Sequence, residues 1–121
     1  MEIINEIEFT SDIWCVVLPI ILCLVDVATG YVNAWKKNKI SSKKMREGLG
    51  KKFGEITLCF LGWITYLAFS IKIAPTFTTV YVGVMELTSI AENLDKLGVP
   101  IPIFISKKLN NIKEDIKGDD K

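Results

Sequence analysis

Apolar residues in this chain fall into long runs separated by polar blocks, not into short alternations. Residues 13–25, IWCVVLPIILCLV, carry no charged side chain, and the apolar character resumes after Asp26 through Val27, Ala28, Tyr31, Val32 and Ala34. Trp14 and Trp35 bracket this stretch 21 positions apart, about 31 Å along a helix and close to the roughly 30 Å thickness of bilayer hydrocarbon. The pattern predicts a transmembrane helix over 13–35, with Pro19 as a tolerated bend. A second apolar region runs from Ile56 to Ala91, with Lys72 and Pro75 near its centre. It is too long for one span, and a lysine at its middle would be costly. A turn there, at the membrane surface, predicts helices over 56–72 and 73–91. A first span followed by one re-entrant hairpin is the alternative.

Charge placement sharpens this picture. The 121-residue chain is nearly neutral, with 15 basic and 14 acidic side chains. Its first 35 residues nevertheless hold acids and no base, whereas 36–52 hold eight bases against Glu47 alone. Short positive loops stay in the cytoplasm. Lys36, Lys37, Lys43, Lys44 and Arg46 therefore predict a cytoplasmic 36–55 loop, an external acidic N-terminus (1–12), and a cytoplasmic tail (92–121). The acidic start and the bulky, basic sequence after the first run argue against a cleaved signal peptide. Ser41 or Ser42 could cap a short helix placing Met45, Leu49 and Phe53 on one face, to lie on an anionic leaflet; a solvated loop is the other reading. Nucleic-acid binding is not expected from these lysines, which lack interleaved aromatics. In the tail, Gly98, Pro100 and Pro102 predict a helix stop with Gly98 left-handed. Beyond them Ile105, Leu109, Ile112 and Ile116 predict an amphipathic helix. The expected class is an all-α membrane protein: three transmembrane helices, a basic cytoplasmic loop and a C-terminal amphipathic helix.

Composition excludes most catalytic chemistry. There is no histidine, and the three cysteines, Cys15, Cys23 and Cys59, lie inside apolar runs without a CxxC pair. Neither a metal site nor a cofactor is expected, and no phosphate loop or nucleophile motif is present. An enzyme is not expected.

The informative residues are polar ones inside the spans. Asp26 lies near mid-membrane, where a carboxylate costs roughly 2.5–3.5 kcal/mol on insertion scales. Asp26, Thr29, Gly30 and Asn33 share one helical face; Thr76, Thr79, Gly83 and Glu86 share another. The glycines and threonines fit either close helix packing or a pore lining. The carboxylates are harder to place, since the span pattern puts no base at their depth. They should be protonated or face water. Three helices have no room for internal water, so the residues point to a homo-oligomer whose polar faces meet.

Two stretches carry a family resemblance. LVDVATGYVNAWKKNKISSKKMREGLGKKFGEI, through Asp26, Thr29, Gly30, Ser41, Ser42, Lys43, Gly48 and Lys52, resembles the first-span and basic-loop signature of the toxin-secretion/phage-lysis holins of Gram-positive bacteria and their phages. GVMELTSIAENLDKLGVPIPIFISKKL resembles that family's second signature through Glu86, Ser89, Ile90, Glu92, Asn93, Leu97, Gly98, Val99, Pro100, Ile101 and Pro102. The resemblance implies a protein that accumulates in the bacterial cytoplasmic membrane, oligomerises, and opens lesions through which endolysin or a toxin passes without stable binding. It brings no catalytic residues. The competing class is a non-lytic channel or transporter subunit, or a membrane scaffold.

Overall fold

The computed structural model describes residues 8–117. Most of the acidic N-terminal segment (residues 1–7) and the last residues, Gly118–Lys121, expected to fray, lie outside the described residues. Within them the chain is all-helical: α1 (Trp14–Lys36), α2 (Ser42–Phe69), α3 (Ile73–Lys96) and α4 (Ile103–Lys117).

Helix ends follow local chemistry. Beyond α1, Asn38 takes the left-handed conformation with φ 58°. The Lys39 N–H reaches the Ala34 carbonyl at 2.9 Å and the Asn38 N–H reaches Trp35 at 3.0 Å, a Schellman pair that asparagine accommodates because its short side chain tolerates positive φ. Ser41 then caps α2, its hydroxyl accepting from the Lys44 N–H at 3.4 Å. The same pair of bonds closes α3, from Val99 to Leu94 (2.8 Å) and from Gly98 to Asp95 (3.0 Å). Gly98 has φ +92°, as its place in the sequence predicts. An added Cβ there would meet nothing within 4 Å, so Gly98→Ala tests backbone strain alone. We expect it to cost about 1–2 kcal/mol, read as faster amide exchange at the α3–α4 turn with exchange inside α1 unchanged.

The expected boundary at residues 55–56 is not a break. Residues expected as a basic loop and residues expected as a second span form one 28-residue helix, α2. No proline interrupts it, and each interior glycine costs only about 1 kcal/mol, too little to stop a helix capped by Ser41 and anchored in the bundle from Lys52 onward. It ends at Ser70 in the left-handed region (φ 60°). Pro75 falls at the third residue of α3, where its missing N–H is no loss. Among the described residues one helix, α1, is long and apolar enough by itself to cross a membrane. The long apolar stretch of α2 starts only beyond Lys52 and Glu55, and that of α3 is broken by Glu86.

Contacts set the directions. Cys15 of α1 meets Thr79 of α3, and Asp26 meets Ser89 and Asn93 further along, so α1 and α3 run parallel. Lys52 meets Glu86 whereas Cys59 meets Thr78, so α2 runs antiparallel to both. The central helix is α3, with eight buried residues against two in α2; α1 and α2 touch each other only slightly. The amphipathic α4 folds back along α3, placing Ile112 and Ile116 against Val80 and Val84.

Candidate functional site

The site lies in one layer of the bundle. Asp26 stands ten residues before the end of α1, Lys52 ten after the start of α2, and Glu86 ten before the end of α3. Each is therefore about 15 Å along its helix from the same end of the bundle, so the hairpin connections bring all three together. The Lys52 ammonium sits between the two carboxylates, paired with Asp26 Oδ2 and Glu86 Oε1. This corrects the expectation that no base lies at the depth of these acids. Lys52 was expected in a cytoplasmic loop or a short interfacial helix, and continuing α2 inward from Ser41 carries it into the bundle.

Other polar groups complete the shell of Asp26. Its Oδ1 accepts from the Ser89 hydroxyl at 2.7 Å and from Asn93 Nδ2 at 3.0 Å. Asn93 Nδ2 also lies 3.0 Å from Thr29 Oγ1, a second acceptor for the same amide. A buried carboxylate with a well-placed cation and donors need not be protonated to be tolerated.

The expected face residues all fall on the inner surfaces of α1 and α3. Asp26, Asn33, Thr79, Gly83 and Glu86 are buried, and Thr29 and Gly30 half-buried. Glu86 is 1% exposed and Thr79 likewise 1%. Thr79 donates to the Cys15 carbonyl at 3.1 Å; the Asn33 side-chain oxygen is buried without a hydrogen-bond partner among the described residues. Gly83 and Gly30 are not there for close approach, because a Cβ would stand 3.8 Å from Leu22 and 3.6 Å from Asn93. Lys36, Lys37, Lys43, Lys44 and Arg46 are exposed at the end of α1 and on the first turns of α2. Of the tail residues in the family pattern, Asn93 belongs to the charged layer, while Glu92 and Pro100 border a cleft between α3 and α4. Gly98 makes the turn, and Pro102 precedes α4.

Sequence reasoning passed over Lys52, Ser89 and Asn93 as chemistry, although all three carry the family resemblance. It also read Cys23 as packing. Cys23, Glu55 and Glu86 bring one potential ligand atom each within 4.8 Å of one another. Those donor types suit a divalent cation, but Lys52 already supplies a positive charge to Glu86, and the arrangement is accounted for as an ion-paired interior.

The outer surface has the opposite character. Leu24 is 64% exposed, Phe60 63% and Leu67 75%, while Asp26 is 6% exposed. A buried ionic layer beneath a surface that exposes so many large apolar side chains departs from the arrangement of a water-soluble bundle.

Comparisons with known proteins identify the family. The chain is 31% identical over 99 residues to the uncharacterized protein YqxH of Bacillus subtilis (strain 168), covering 81% of this chain and 71% of that protein. It is 29% identical over 99 residues to a probable holin of Bacillus phage phi105, covering 81% of this chain and 73% of that protein. No solved structure matches. The model of the bacteriophage holin family matches residues 4–114. With nearly the whole described bundle inside that match, the chain belongs to the bacteriophage holin family, a family of non-enzymatic membrane proteins.

Proposed function

We propose that this protein is a holin that accumulates in the bacterial cytoplasmic membrane as a closed three-helix protomer and opens lesions by homo-oligomerisation. Endolysin, or a toxin in a toxin-exporting context, passes through without stable binding. The observation that carries the reading is the exposed apolar outer face of the bundle, which suits lipid, together with the ionic layer hidden within. In this reading α1, α3 and the length of α2 level with them cross the bilayer, so the Lys52 layer lies at membrane depth, and α4 leaves its place along α3 to stay at the cytoplasmic surface. Lys36, Lys37, Lys43, Lys44 and Arg46 hold their end in the cytoplasm, which leaves the N-terminus outside.

In the closed protomer Lys52 pairs with Asp26 and Glu86, and Ser89 and Asn93 complete the shell of Asp26. Opening would turn Asp26, Thr29, Gly30, Asn33, Thr79, Gly83 and Glu86 toward a shared aqueous path, exchanging buried pairs for solvated charges. A modest free-energy difference per protomer, multiplied over the subunits, makes such a transition abrupt.

Inducible expression in a bacterium tests the reading. We expect sudden loss of membrane potential after a delay, with release of a co-expressed endolysin. Asp26→Asn and Glu86→Gln remove charge that favours the wet state, so both should insert normally yet delay or abolish that loss. Ion leakage without enzyme release would instead indicate a channel subunit, and no leakage a scaffold. Unaltered timing in both variants would reject the role given to the ionic layer.

A further inference from the structure

Because α1 and α2 barely touch, a cleft of about 340 Å³ opens between them toward the end that carries the lysines. Its walls are apolar, formed by Val27 and Tyr31 of α1 and by Met45 and Leu49 of α2. Its polar lining includes Lys39 and Lys44, with Lys52 and Asp26 deeper in. Asp26 and Lys52 neutralise one another, whereas Lys39 and Lys44 are exposed and have no ion pair among the described residues. Ser41 at the start of α2 also lines the cleft, so the positive end of the helix dipole adds to the two ammonium groups.

We propose that this cleft binds one anionic phospholipid of the cytoplasmic leaflet per protomer. Its phosphate would rest on Lys39 and Lys44, and an acyl chain would lie along Val27, Tyr31, Met45 and Leu49. Charge complementarity selects the headgroup, and the apolar walls select an amphiphile over a free anion. Basic pockets between helices at the cytoplasmic face are suited to such headgroups. A lipid seated here would wedge α1 against α2 directly beside the ionic layer, coupling membrane composition to the stability of the closed protomer. The inference rests on the membrane reading above.

The test uses the full chain in nanodiscs of mixed phosphatidylglycerol and phosphatidylcholine, with retained lipid read by native mass spectrometry. We expect phosphatidylglycerol to be retained preferentially, one per protomer. Lys39→Gln with Lys44→Gln should reduce that retention about thirtyfold. Gly48→Leu should reduce it similarly without changing charge: Gly48 borders the cleft, and a Cβ there meets nothing within 4 Å, so the side chain is free to fill it. Lys107→Gln with Lys108→Gln, the same charge loss on α4, should leave retention intact. Circular dichroism confirms that each variant remains helical, and should the lysine variant unfold, Gly48→Leu and the wild-type headgroup preference decide. Equal retention of both lipids overturns the proposal, as does equal loss in the α4 control, which would indicate diffuse surface charge. Displacement by millimolar inorganic phosphate would overturn it in favour of a free-anion site. A protein that still triggers lysis while binding lipid without headgroup preference would refute the cleft and leave the holin reading standing.

Discussion

Lys52→Met is expected to destabilise the protein by about 3–5 kcal/mol, the usual cost of removing one partner from a buried ion pair. The effect is large because the ammonium serves two acids at once, and Glu86 is almost fully enclosed. Methionine keeps much of the volume and none of the charge, so the loss reports electrostatics more than packing. Thermal and denaturant unfolding of the detergent-solubilised protein, followed by circular dichroism, would measure it. The triple variant Lys52→Met, Asp26→Asn, Glu86→Gln should regain most of the lost stability, since neutral groups need no counter-charge. A single variant within about 1 kcal/mol of the parent would show that water already reaches the layer.

Gly62→Leu is expected to force α2 and α3 apart, and even Gly62→Ala should cost about 1–3 kcal/mol by overpacking. A Cβ at Gly62 would stand 2.3 Å from Thr78 Oγ1, 3.0 Å from Thr78 Cγ2 and 3.1 Å from the Ala74 carbonyl oxygen. Thr78 cannot swing away freely, because its hydroxyl is bonded to the carbonyls of Ala74 (3.1 Å) and Pro75 (3.2 Å). Thr78→Ala should therefore rescue Gly62→Ala in part, the Ala74 carbonyl remaining in the way. A double-mutant cycle on unfolding midpoints would show the coupling, and strict additivity would mean the two helices do not meet there.

The two experiments probe layers of differing legibility. Gly62 was visible in the sequence as a small residue in an apolar run, a type that fits close helix approach, but nothing local says that Thr78 is what approaches it. Lys52 was visible as a base and as part of the holin resemblance, but its block of lysines read as a loop or a helix lying on the membrane surface, outside the bundle. The cue available was geometric: Ser41 is a good cap, no proline follows until Pro75, and ten residues of helix place Lys52 level with Asp26. Treating residues 36–55 as a topological determinant hid that register. The tail shows the same division. Its apolar spacing predicted the helix, whereas the burial of Ile112 and Ile116 against Val80 and Val84 depends on α4 folding back along α3.

Period, capping residues and charge blocks by themselves determined the helical class, the start of α1, the stop at Gly98, the amphipathic α4, and the two carboxylates that do not belong in lipid. These are local or one-dimensional properties, set by which residues cap, break or repeat along a helix. Only the tertiary structure decided that α2 is continuous, that α3 is the central helix, and that Lys52, Ser89 and Asn93 converge on Asp26. The physical reason is that a buried charge is made tolerable by groups distant in sequence, and their distance in space is set by helix direction and register.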